Sequence, residues 1–126
     1  MDGVPTMPEV LEVDPADGIR LAQQLLDDGR PFHAHEVLEA LWKSTDDPHG
    51  RELWQGLAQL AVGLTHEARG NQVGAVTLIA RGRDRVAAAG PDPLIDVPGV
   101  LQWADDWLAG EREHDLRLAG PVAPAP

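Results

Sequence analysis

The chain has 126 residues, enough for one domain with a sizeable core and no need of covalent staples. It has no cysteine, which excludes disulfides, thiolate zinc sites, iron–sulfur clusters and cysteine nucleophiles, so any metal must take nitrogen or oxygen ligands. Ten basic against twenty-one acidic residues give a net charge of −11, which argues against both nucleic acid and anionic membrane surfaces as partners.

Residues 1–13 read as an extension ahead of the first helix. They have no basic start, and the later apolar stretches are broken by Gln, Glu or His before membrane-spanning length, so the expected location is the cytoplasm. The first helix opens with Asp14 as cap and Pro15 in the first turn, carries Ile19, Ala22, Leu25 and Leu26 at helical spacing, and stops at Gly29. Pro31 starts the second, which runs to about Ser44 with Ala34, Val37, Leu38, Leu41 and Trp42 on one apolar arc. Asp46, Asp47 and Pro48 mark the boundary with a third helix that continues to Gly70. Leu53, Leu57, Leu60 and Leu64 line one side of it, and Trp54, Ala58, Ala61 and Val62 widen the arc, as expected of a central helix.

Asn71 caps the fourth helix, whose expected inward stripe is Val73, Val76, Ile79, Ala80 and Val86, with Arg83 projecting from within it toward a carboxylate partner; Gly90-Pro91 closes it. The fifth spans Pro98 to Ala109 and presents Val100, Leu101, Trp103, Ala104, Trp107 and Leu108, with Asp105 and Asp106 solvating its outer face. Residues 111–126 read as a flexible tail, which makes residues 14–110 the domain. No run alternates as a strand would, and short loops between long helices predict antiparallel neighbours. The expected fold class is all-α, a compact antiparallel bundle of about five helices.

At 100° per residue, His35, Glu39 and Trp42 fall within about 60° of one another, in a stripe that flanks the apolar arc of the second helix. Gln55, Gln59 and His66 fall within about 40° of one another on the third, beside Gly56 and Gly63. Two glycines inside a helix imply a close packing partner, and Trp42 or Phe32 would fill such a groove. Antiparallel pairing about a turn near Asp46 brings Gln55 and Gln59 within one turn of His35 and Glu39. The same count leaves His66 about 10 Å further along, beyond the start of the second helix.

The His35, Glu39, Trp42 spacing matches H-x-x-x-E-x-x-W, the hallmark of the bacterial and archaeal domain-of-unknown-function family number 309, which the chain resembles over roughly residues 16 to 90. The likeness takes in Phe32-His33-Ala34-His35-Glu36, the Gln55-Gly56-Leu57-Ala58-Gln59 run with His66, and Gly70-Asn71 followed by Gly74-Ala75. The resemblance implies an all-helical bundle with an unassigned functional site, for which metal binding is proposed from the His/Glu motif, and brings no established activity. The motif departs from H-E-x-x-H metalloproteases in supplying one imidazole and one carboxylate.

Two readings follow. In the first, the chain is a non-catalytic binding or interaction module whose partner is another protein or its own copy. Its polar cluster is His35, Glu39, Trp42, Trp54, Gln55 and Gln59, with Glu39 hydrogen-bonded to a buried His35, and the tryptophans in the core. In the second, His35 and Glu39 ligate a divalent metal with help from His66 or Gln59, and hydrolysis is the chemistry such a site would support. Serine chemistry has no support, because Ser44 and Thr45 are not at hydrogen-bonding spacing to His35. Composition and spacing leave enzyme status open.

Overall fold

A computed structural model describes residues 14–119. Among these residues the chain forms five helices and no strand: α1 (Pro15–Asp27), α2 (Pro31–Lys43), α3 (Pro48–Ala68), α4 (Gln72–Ala89) and α5 (Val97–Leu108). Proline occupies the first turn of four of them, where its missing N–H costs nothing. Asp47, Asn71 and Asp96 cap α3, α4 and α5 by accepting from the N–H of Gly50, Gly74 and Gly99. Asp14 precedes α1 without making such a bond. α2 lacks a terminating glycine. Instead, the hydroxyls of Ser44 and Thr45 both donate to the Leu41 carbonyl, which shortens the turn into α3.

Each helix packs on the next in sequence, and α3 is central, held between α2 and α4. Leu53, Leu57, Leu60 and Ala61 of α3 are inaccessible to solvent, as are Ala34 and Leu38 of α2. The α3–α4 interface is built on glycines. A Cβ on Gly56 would lie 2.9 Å from Val86 Cγ2, one on Gly63 2.7 Å from Ile79 Cδ1, and one on Gly82 2.7 Å from the Gly56 carbonyl oxygen. The groove beside Gly56 and Gly63 therefore takes α4, and not Trp42 or Phe32 as the spacing suggested. This close approach sets which way α4 faces: Ala75, Ile79, Gly82 and Val86 turn inward, while Val73 is 79% exposed and Val76 43%. The expected stripe was thus displaced by about half a turn at its start, because α4 seats Ile79 and Val86 on the glycines of α3 and Val73 and Val76 lie outside that contact.

Arg83 does find a carboxylate, with Nε 2.9 Å from Asp105 Oδ1, so Asp105 bridges α4 and α5 instead of merely solvating the last helix. Val97, Val100, Trp103, Ala104 and Trp107 form the buried face of α5, and Leu108 lies outside it.

The segment expected to be a flexible tail from residue 111 packs back on the bundle through Leu116 and Leu118. Leu116 is 4% exposed and Leu118 is fully buried. Gln23 of α1 holds it with both ends of its amide, donating to the Leu116 carbonyl (3.0 Å) and accepting from the Leu118 N–H (2.8 Å). Arg117 reaches Asp27, and the Trp103 indole donates to the His114 carbonyl. Two leucines spaced two apart in an extended stretch cover the gap between α5 and α1, a pattern too short to register as periodicity. The expected extension before residue 14 and the end of the tail lie outside the described residues.

Candidate functional site

α2 and α3 run antiparallel and are pinned at both ends by a guanidinium over an aromatic ring. Arg51 at the start of α3 stands 5.3 Å from the Trp42 ring centre, and Arg69 just past its end stands 5.8 Å from that of Phe32. His35 and Glu39 lie between these pins on α2, and Gln55 and Gln59 between them on α3. The α2–α3 seam between the pins thus carries His35 and Glu39 on one helix and Gln55 and Gln59 on the other.

The pair itself is not hydrogen-bonded. His35 Nε2 and Glu39 Oε2 are 3.9 Å apart, beyond hydrogen-bonding reach, and Glu39 also faces Lys43 Nζ at 3.8 Å. The Glu39 side chain is 39% exposed against 20% for His35, so the carboxylate leans to solvent while the imidazole is tucked inward. His35 packs on the Phe32 ring, centroid to centroid 5.6 Å. Its Nδ1 is buried with no protein partner, and so is Gln59 Oε1. The satisfied buried pair expected from the sequence is therefore absent: one turn of helix brings the groups near each other, but the carboxylate swings outward to water and Lys43. Trp54 is in the core, 4% exposed, and Trp42 and Gln55 are half-buried.

His66 takes no part in this seam. α3 is 21 residues long and overruns α2, so His66 reaches the α3–α4 turn, where its Nδ1 is 3.1 Å from Asn71 Nδ2. Among the described residues no three His, Asp or Glu side chains gather into a metal-ligating group, so His35, Glu39 and His66 are not assembled as one.

A second histidine site escaped the sequence reading. His49, in the first turn of α3, places Nδ1 2.8 Å from the Ala89 carbonyl oxygen and Nε2 3.0 Å from Asp92 Oδ2. The hydrogen bond to Asp92 raises the His49 pKa above its ordinary 6.5, the Ala89 carbonyl adds to this, and desolvation opposes both. Residues 40 and 43 apart in sequence meet here, joined only by the folding of α4 back along α3. The sole local signal was a titratable residue beside a helix-starting proline.

All the seam residues fall in one stretch recognised by comparison. The model of the family described as "Domain of unknown function (DUF309)" matches residues 19–78. Over that stretch, just under half of its length, the chain is similar to this family. The stretch holds α2, α3 and most of α1, and ends inside α4. Over 49 residues the chain is 43% identical to the "Uncharacterized protein YpuF" of Bacillus subtilis (strain 168), a match covering 39% of this chain and 28% of that protein's length. No solved structure matches the chain. The DUF309 segment thus contains the His35/Glu39/Trp42 motif and His49, whereas Asp92, α5 and the packed C-terminal stretch lie beyond it.

Proposed function

We propose that the protein is a non-catalytic interaction module that binds a protein partner through the N-terminal half of α2. The observation that carries this reading is Phe32, the chain's single phenylalanine, which is 43% exposed yet framed by His33, His35 and Arg69. An aromatic ring held rigid at the surface loses little entropy on binding and serves as an anchor. Arg69 stands over it and Arg30 precedes it by two residues in an otherwise acidic chain, so the matching partner presents an apolar side chain bordered by carboxylates. Catalysis has little support at the seam: one nitrogen of His35 is enclosed by protein, and the neighbouring carboxylate stands at 3.9 Å.

A photo-crosslinking residue in place of the exposed His33, compared with one in place of Arg20 on α1, tests the proposal in cells. A discrete adduct from position 33, lost with Phe32→Ala in a variant that still folds, is the expected result; an adduct at twice the chain mass would make the partner a second copy. No adduct, or one that survives Phe32→Ala, overturns the proposal. The competing metal reading is checked on chelator-treated protein. A ligand at 100 times its Kd stabilises by about 2.7 kcal/mol, so a clear rise in Tm with zinc or manganese would favour His35 and Glu39 as ligands, and no change is expected here.

A further inference from the structure

Both nitrogens of His49 face atoms that can only accept a hydrogen bond: the Ala89 carbonyl oxygen at 2.8 Å and Asp92 Oδ2 at 3.0 Å. A neutral imidazole has one N–H and would leave one of these contacts lone pair against lone pair, whereas imidazolium donates to both. If the shared proton moved to Asp92 it would leave the more basic group for the less basic, so it belongs on the ring. We propose that His49 and Asp92 form a proton-operated latch that holds the linker of residues 90–96, between α4 and α5, against the first turn of α3.

The linker is built to transmit the state of the latch. Asp92 uses its other oxygen, Oδ1, to accept from the Leu94 N–H at 2.8 Å. Ile95 is buried, and the Asp96 N–H donates to the Leu118 carbonyl at 2.9 Å while the Asp96 side chain caps α5. The Asp92 carboxylate thereby joins α3 to the linker at Leu94, two residues before Asp96, which is bonded to the start of α5 and to the packed C-terminal stretch.

The surrounding charges favour the protonated ring. Asp92 faces it from the linker and Asp47 from the cap of its own helix. Arg85 of α4 is engaged by Glu52, and Arg51 of α3 turns away to the Trp42 and Thr45 carbonyls. The dipole of α3 opposes a cation in its first turn, so the two acceptors are what hold the proton there. A raised pKa means the latch is closed below the ordinary histidine value of 6.5 and opens as pH climbs through the folded value.

Nitrogen-15 shifts of the histidine rings and amide exchange in the full chain test this. The His49 ring is expected to carry protons on both nitrogens at pH 6.5. The Leu94 and Asp96 amides, corrected for intrinsic base catalysis, should exchange several-fold faster as the ring loses its proton. Asp92→Asn and His49→Gln should each remove that step while the fold persists. A His49 ring with a single protonated nitrogen at pH 6.5, or amides without a step in the native chain, would overturn the proposal; neither readout depends on a variant folding.

Discussion

Replacing Gly82 with alanine probes how closely α3 and α4 approach. The added Cβ would lie 2.7 Å from the Gly56 carbonyl oxygen and 2.8 Å from Leu60 Cδ2, inside ordinary van der Waals contact. Alanine in a helix interior gains about 1 kcal/mol over glycine. Against this stands overpacking, which costs about 1 to 3 kcal/mol. The upper part of that range applies, because a backbone carbonyl cannot rotate away and the helices must part. Parting them by about 0.5 Å forfeits roughly a quarter of the dispersion energy of every contact along the seam. The expected net effect is a loss of about 1 to 2 kcal/mol. In urea, with a slope of about 1 to 3 kcal/mol per molar, this moves the midpoint down by roughly 1 M, read by far-ultraviolet circular dichroism. Gly63→Ala should be destabilising too, since its Cβ would meet Ile79 Cγ1 at 2.8 Å and the Ile79 backbone nitrogen at 3.1 Å, and a buried β-branched side chain in a helix has one favoured χ1. A Gly82→Ala variant as stable as the native chain, or more so, would refute the close-packed glycine interface.

His35→Leu should raise stability by about 1 kcal/mol, because it removes a buried nitrogen that has no protein partner and leaves Glu39 free to solvent; a lowered Tm would mean that something satisfies that nitrogen. Leu118→Ala should cost about 2 to 5 kcal/mol in the same urea assay, the loss of a fully buried side chain, whereas a flexible tail would register nothing. The His49 contribution to stability should be complete below about pH 6.5 and decline as the pH rises through its raised folded value, so the native Tm should fall over that window relative to His49→Gln; parallel curves for the two chains would count against the ion pair.

The all-helical architecture was legible because its cues are local. Proline in the first turn, Asp or Asn at the cap and glycine after the last turn act within a few residues, and five helices follow from them. The facing of α4 was not, since the hydrophobic pattern favours Val73 and Val76 while the actual contact is chosen by what Gly56 and Gly63 on another helix admit. The helical wheel placed His35 beside Glu39 correctly to within a turn. It could not say that the carboxylate would leave the imidazole for Lys43 and water, because a side chain's last torsions answer to solvent and not to helical phase. The His49–Asp92 contact depends on a separation of 43 residues and had no spacing signature at all.

The reach of the DUF309 segment has a physical consequence of its own. Residues 19–78 contain the whole of α3 but only the start of α4. Both inner glycines of α3 look toward residues past that limit, Gly56 to Val86 and Gly63 to Ile79, so the segment by itself leaves the apolar second face of its central helix uncovered. The α2 face, by contrast, is complete within the segment, with both cation–ring pins and the His35/Glu39/Trp42 stripe drawn from it alone. What the segment needs from the rest of this chain is therefore cover for α3. Here α4, held by its glycine contact and tied back through Asp92 to the first turn of α3, supplies it.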